Sequence, residues 1–144
     1  MLEFAISTVV ILTVLFGIID VGRAAYAYDW VVHAARQGAR FMIVRGTYCI
    51  YDPVPLPGGC PATAQDATNY ITNANGNGLD TTGIATNQVT VFTNCFRVAN
   101  EQGPPPCAPT GWIRVRVQYN FSFVSPFVPL TWTMHSTSYM VVQN

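Results

Sequence analysis

The stretch FAISTVVILTVLFGII, residues 4–19, decides the fold, because it carries no charge and directly follows Glu3. From Asp20 the sequence continues as VGRAAYAYDWVVHAARQGARFMIVR, residues 21–45, which is rich in alanine and becomes basic toward its end. The helical pattern runs through both stretches, so the sequence predicts one long helix over residues 1–45. Lipid or copies of the same chain must shield the first half of such a helix from water.

Two other interpretations of this opening are a cleavable signal peptide and an ordinary single-pass anchor. A secretory leader begins with basic residues and ends at a small-residue cleavage site. Here an acid precedes the apolar run, and the helical pattern continues to about Val44. The anchor fits better, since sixteen uncharged residues nearly reach the ~17–25 that span a bilayer. A mature form whose basic leader has been removed is compatible with the same pattern.

The composition is that of a small, weakly charged protein. Of the 144 residues, 50% are hydrophobic and 10% are charged, against roughly 25% charged in typical soluble domains. The formal net charge is zero, which gives no reason to expect a nucleic-acid partner. The length predicts one helix of residues 1–45 and one globular region of residues 46–144, large enough for a modest core. We call residues 46–144 the head.

All four cysteines lie in the head, and none lies in the long helix. An even number of cysteines in a loop-rich, exported region predicts two disulfides. Their spacing matches neither a zinc site nor a haem-attachment motif. We favour the pairs Cys49–Cys60 and Cys95–Cys107, because each closes a short loop rich in proline and glycine, but four cysteines allow three connectivities.

The rest of the head predicts a short helix followed by strands. Residues 46–61 are rich in turn-forming residues, and residues 62–74 support a helix that stops at the NGNG run. Alternating or β-branched patterns predict strands over residues 87–98, 112–123 and 131–142. The alternation of the second strand predicts that one face is formed by Ile113, Val115, Val117, Tyr119, Phe121 and Phe123. The fold class is therefore α+β, with the C-terminal half of the long hydrophobic helix packed on a small antiparallel sheet of three or four strands.

The sequence offers no arrangement typical of an enzyme. His33 and His135 are far apart and have no acidic or cysteine neighbours suited to catalysis or metal binding. The serines lack a Gly-x-Ser-x-Gly setting, and the NGNG run neither follows a strand nor opens a helix, as a phosphate-binding loop would. We therefore expect no catalytic residue, no metal and no cofactor.

Several stretches resemble a known family. Glu3 and Phe4 at the head of an apolar run resemble the start of type IV pilin-like proteins. More specifically, GIIDVGRAAYAY (residues 17–28) followed by AARQGARF (residues 34–41) is similar to the TadE/TadG-like family of tight-adherence pseudopilins. Residues 113–142 are similar to the closing strands of that family, around a Tyr-x-Phe motif and a proline-rich turn.

The resemblance implies a pilin-like subunit that reaches the inner membrane, is cut by a prepilin peptidase and joins an extracellular homopolymeric filament through the pilus assembly machinery. In such proteins an acid at the fifth mature position neutralises the N-terminal amine of a neighbouring subunit. Glu3 matches that acid by context but stands third, so either two residues precede Met1 in the mature chain or processing differs. The alternatives are a membrane-anchored minor pseudopilin that primes or regulates assembly and a surface adhesion module.

The filament interpretation predicts which residues meet neighbouring subunits. Glu3 would supply the pairing charge. Asp20 and Arg23 would mark either the boundary where the anchor leaves the membrane or an ion pair inside the filament. The apolar contacts would come from Phe4, Val9, Leu12, Leu15, Phe16 and Ile19.

Overall fold

The computed structural model describes residues 2–45, 62–96, 102–103, 111–124 and 131–142. The predicted long helix is confirmed as α1, Leu2–Val44, which has 43 residues. The elements that follow are α2 (Ala64–Ile71), β1 (Val89–Phe96), β2 (Gln102–Gly103), β3 (Trp112–Ser122) and β4 (Thr131–Val141). The strands form an antiparallel sheet in the order β2-β1-β3-β4, so the predicted α+β class is confirmed.

Strand β3 is the centre of the sheet and carries most of its buried side chains. It pairs with β1 from Val89↔Tyr119 to Phe96↔Trp112, and with β4 from Trp112↔Val141 to Ser122↔Thr131. Successive side chains of a strand point to opposite faces. The inward-facing side chains are those that the alternation predicted, and they are buried: Ile113, Val115, Val117, Tyr119 and Phe121.

The second half of α1 packs on this inner face through small side chains. Three- and four-residue steps place them on one side of the helix: Ala24, Ala27, Val31, Ala34, Ala35 and Ala39 are all buried. Gly38 continues the stripe, and a Cβ added there would lie 2.6 Å from Cδ1 of Ile71 in α2. Small residues therefore allow α1 to approach both the sheet and α2 closely.

Several predicted boundaries differ from the structure. Helix α2 starts one residue after Thr63, whose side chain and that of Asp66 form a capping box. It ends at Ile71 instead of Ala74, because Asn73 adopts a positive φ of 54° that ends the helical path. Strand β1 begins at Val89 instead of residue 87, because residues 86–88 form a 3₁₀ turn.

The disulfide pairing remains a prediction. Cys95, in β1, is disulfide-bonded. Cys49, Cys60 and Cys107 lie outside the described residues. Most of the predicted loops, residues 46–61 and 100–111, also lie outside them.

Candidate functional site

In the part of the chain that the structure describes, the first half of α1 projects from the head without cover. We call residues 4–19 the apolar segment and residues 20–44 the packed segment. The predicted contact residues are 37–78% exposed: Phe4, Val9, Leu12, Leu15, Phe16 and Ile19. Further exposed large side chains lie between them: Ile6, Val10, Ile11, Val14 and Ile18. At about 100° per residue these side chains surround the helix, so the exposed surface is apolar on every side.

The polar side chains of the apolar segment are satisfied within the helix. The hydroxyls of Ser7, Thr8 and Thr13 each donate a hydrogen bond to the carbonyl oxygen four residues earlier, at 2.8–2.9 Å. These are the only polar residues between Phe4 and Ile19. Because a buried polar group is costly only without a partner, the segment can enter lipid or a helix bundle without leaving a hydroxyl unpaired.

The apolar segment has a length suited to a bilayer. The seventeen residue steps from Glu3 to Asp20 rise about 25 Å at 1.5 Å per residue, close to the ~30 Å hydrocarbon core of a membrane. By length and composition, the helix is long and apolar enough to cross a membrane. Glu3, in the first turn, is exposed at its far end.

Asp20 joins the apolar segment to the head. Its side chain is buried, and its Oδ1 accepts a hydrogen bond from the backbone N–H of Val124 at 3.0 Å. The same oxygen lies 3.5 Å from Nη1 of Arg23, so the two side chains form an ion pair within one chain. The Arg23 guanidinium in turn lies 5.4 Å from the centre of the Phe121 ring. The two residues therefore hold α1 against the end of β3, and their part in assembly stays a prediction.

Two aromatic side chains of the packed segment bind the loop after α2. The Tyr26 hydroxyl donates to the carbonyl of Thr82 at 2.9 Å, and Trp30 Nε1 donates to the carbonyl of Asp80 at 2.7 Å. Hydrogen bonds from the hydroxyl and N–H of Thr82 hold the pKa of the Asp80 carboxyl below its ordinary value. Sequence reasoning missed these contacts, because the partners lie 56 and 50 positions apart in the chain and no local pattern marks them.

The described residues show no metal centre. No group of three or more histidine, cysteine, aspartate or glutamate side chains in these ranges could hold an ion. His33 lies exposed on α1 and His135 lies exposed on β4, so the structure does not bring them into a common buried site. Among the described residues, the candidate functional surface is the apolar segment, whose large apolar side chains are exposed.

Residues 1–40 match the family model described as TadE-like protein. The match confirms the resemblance for the N-terminal stretches, and it spans the apolar segment together with most of the packed segment. The similarity expected for residues 113–142 lies outside the match and stays a prediction. No curated protein and no solved structure matches the chain.

Proposed function

We propose that this chain is a structural subunit of an extracellular pilus of the tight-adherence type, assembled through the apolar segments of many copies. The TadE-like match implies a pseudopilin associated with such a pilus. The observation that carries the subunit role is the exposure of large apolar side chains on every side of residues 4–19. A surface of this kind is stable in lipid or in a bundle of like helices, and unstable in water.

The energetics favour the polymer outside the membrane. Burying one large aliphatic side chain is worth about 1.5–3 kcal/mol relative to water. The apolar segment exposes many such side chains, so an isolated subunit in water is strongly disfavoured. Lipid tails remove most of this difference, because they are as apolar as the helix surface. In this proposal the subunits reside in the inner membrane before assembly and are cut there by the prepilin peptidase. The assembly machinery must then provide the energy that extracts them from the lipid.

Glu3 is the group to which we assign pairing between subunits. It is the only charged side chain before Asp20, and it lies in the first turn, where the helix dipole favours a negative charge. In a bundle of apolar helices a lone carboxylate would be costly without a positive partner. The N-terminal amine of a neighbouring subunit would supply that partner at the same level of the filament.

The head would form the outer surface of the filament. In this proposal, residues 1–45 form the filament core and residues 46–144 face outward. The predicted disulfides Cys49–Cys60 and Cys95–Cys107 would stabilise the head, since each closed loop of this kind adds about 2–4 kcal/mol to the free energy of unfolding.

Electron microscopy of sheared surface appendages tests the proposal, with mass spectrometry to identify the repeating chain. We expect fibres built from this chain, and we expect Glu3→Ala to reduce their number strongly. Ser7→Ala is the matched control, since the Ser7 hydroxyl bonds only to the carbonyl of Glu3 in its own helix. Normal fibres from Glu3→Ala would refute the pairing role, and fibres that lack this chain would refute the subunit role.

A membrane-anchored minor pseudopilin is the second candidate, because α1 is also long and apolar enough to remain in a bilayer. Quantitative mass spectrometry of sheared fibres and membranes separates the two. A major subunit is abundant in the fibre fraction. A priming or regulatory component stays in the membrane fraction at low copy number, and its deletion changes the number of fibres without removing their main component.

A further inference from the structure

Among the described residues, the end of the sheet beside Asp20 carries large apolar side chains that are more than half exposed. Val124, just after β3, is 57% exposed, and Trp132, at the start of β4, is 58% exposed. Phe123 is partly buried and packs edge-on against Phe121, with ring centres 5.2 Å apart. We call Phe123, Val124 and Trp132 the apolar collar.

Contacts with α1 fix the height of the apolar collar. The backbone N–H of Val124 binds the Asp20 carboxylate at 3.0 Å, so Val124 lies at the level of that residue. Trp132 is the Cα partner of Phe121, whose ring lies beside the guanidinium of Arg23. Asp20 and Arg23 are the first charged residues after the apolar segment. The collar therefore lies where α1 leaves the hydrocarbon core.

The chemistry of the apolar collar suits the boundary between lipid and water. Tryptophan is enriched at this depth, because its ring is largely apolar and its N–H is polar. The Arg23 side chain, 44% exposed, can extend its charge toward headgroups while its stem stays among apolar groups.

We propose that, before assembly, the head rests on the membrane surface through the apolar collar, with Trp132 and Val124 among the lipid headgroups. The partner is the bilayer interface itself, and the argument rests on the proposed membrane stage of this chain. The contact gives the head a fixed tilt relative to the membrane. It also means that extraction must strip lipid from the head as well as from the helix.

The chain contains its own control for a depth measurement. Trp112 is 53% exposed, nearly as much as Trp132. It lies at one end of β3, whereas Phe121, the Cα partner of Trp132, lies near the other end. The nine residue steps from Trp112 to Phe121 span about 30 Å along the strand. Trp30 is buried and binds the Asp80 carbonyl, so it can be kept in every variant as a constant background.

Tryptophan fluorescence of the full chain in vesicles tests the proposal. The vesicles contain lipids brominated either near the headgroups or near the chain ends, and iodide serves as the quencher in water. In Trp112→Phe, we expect shallow bromine to remove about half of the Trp132 emission and to act more strongly than deep bromine. In Trp132→Phe, we expect bromine to leave Trp112 unchanged and iodide to quench it.

A third variant separates this proposal from the membrane stage itself. Phe16→Trp, combined with Trp112→Phe and Trp132→Phe, reports whether the apolar segment has entered the bilayer. Quenching of the residue-16 reporter by deep bromine, together with an unquenched Trp132, would overturn the collar contact and leave membrane insertion intact. No quenching at either position would overturn both. A Trp132 that is shielded only in assembled fibres would show that a neighbouring subunit, not lipid, covers the collar.

Discussion

The two halves of α1 share one uninterrupted helix and differ in what covers them. In the packed segment, alanines and Gly38 lie against the sheet, and the buried side chains there belong to the core of the head. In the apolar segment, larger aliphatic side chains are exposed on every side. The packed segment is stabilised by close packing against the head of its own chain. The apolar segment is suited to apolar surroundings that the described part of the chain does not provide. Substitutions in the two halves should therefore affect different properties.

The largest expected effect comes from a charge in the packed segment. Ala35 is fully buried, so Ala35→Asp would place an unpaired carboxylate in the core. The penalty of several kcal/mol is a large part of the ~5–15 kcal/mol that stabilises a typical domain. We expect Ala35→Asp to lose its thermal unfolding transition, as measured by circular dichroism in detergent. Ala25→Asp, at an exposed position of the same helix, should unfold like the unmodified chain; equal melting of both variants would contradict the assigned packing.

A charge in the apolar segment should leave the head folded and affect membrane insertion. Leu12 is 47% exposed, and an aspartate near the centre of a membrane helix costs about 2.5–3.5 kcal/mol. We expect Leu12→Asp to lower the membrane-bound fraction in flotation experiments while the head melts normally. Leu12→Ile is the matched control. A Leu12→Asp head that melts much earlier would show that the two halves are not independent.

The junction between the halves should show an intermediate effect. Asp20→Ala removes the acceptor for the N–H of Val124, and an unpartnered buried donor costs about 1–3 kcal/mol. Arg23 is about half exposed, so we expect Arg23→Ala to cost less than about 1 kcal/mol. Thermal unfolding of both variants in the same detergent measures the difference, and the reverse order would disprove the central role of Asp20.

Two glycines of α1 should respond differently to substitution by alanine. A Cβ at Gly38 meets Ile71 at 2.6 Å and Val115 at 3.3 Å, whereas a Cβ at Gly22 meets nothing within 4 Å. Overpacking costs about 1–3 kcal/mol, against about 1 kcal/mol gained in helix propensity. Ile71 is fully buried and has little room to move. We therefore expect Gly38→Ala to lower the melting temperature and Gly22→Ala to leave it equal or higher.

The smallest effect should be a dependence on pH through Asp80. Its pKa is lowered in the folded chain by hydrogen bonds from Thr82. The resulting stability is fully present above the ordinary carboxyl pKa of about 3.9 and is lost as the pH falls through the folded-state pKa. Below about pH 4, we expect the melting temperature of the unmodified chain to fall more steeply than that of Asp80→Asn. Parallel curves across that range would contradict the role of these hydrogen bonds.

The sequence predicted the elements whose patterns are local. The uncharged run of residues 4–19 and the alanine-rich stretch after it predicted the continuous helix. The alternation from Ile113 to Phe121 predicted the buried face of β3, because strand side chains alternate between faces. In each case the residue pattern lies within the element that it predicted, so no contact with a distant part of the chain was needed.

The remaining features depend on contacts between distant parts of the chain. The bond from the Val124 N–H to Asp20 joins residues 104 positions apart, and the bond from Trp30 to Asp80 joins residues 50 positions apart. No local pattern specifies either contact. The alternation of β3 also could not show that it is the central strand, since strand order depends on pairing between distant segments. Helix α2 ends before the predicted residue 74 because Asn73 adopts a positive φ. Asparagine can adopt several backbone conformations, so the sequence does not fix the one found here.

The continuity of α1 across Asp20 links the rotation of the apolar segment to the direction in which the head faces. The helix has 43 residues and no break between its halves, so turning one half turns the other by the same angle. In the proposed filament, a shift of one residue in the contacts between neighbouring α1 helices would correspond to about 100° of rotation. Such a shift would exchange the side of the head that faces the surroundings for one that faces the adjacent subunit.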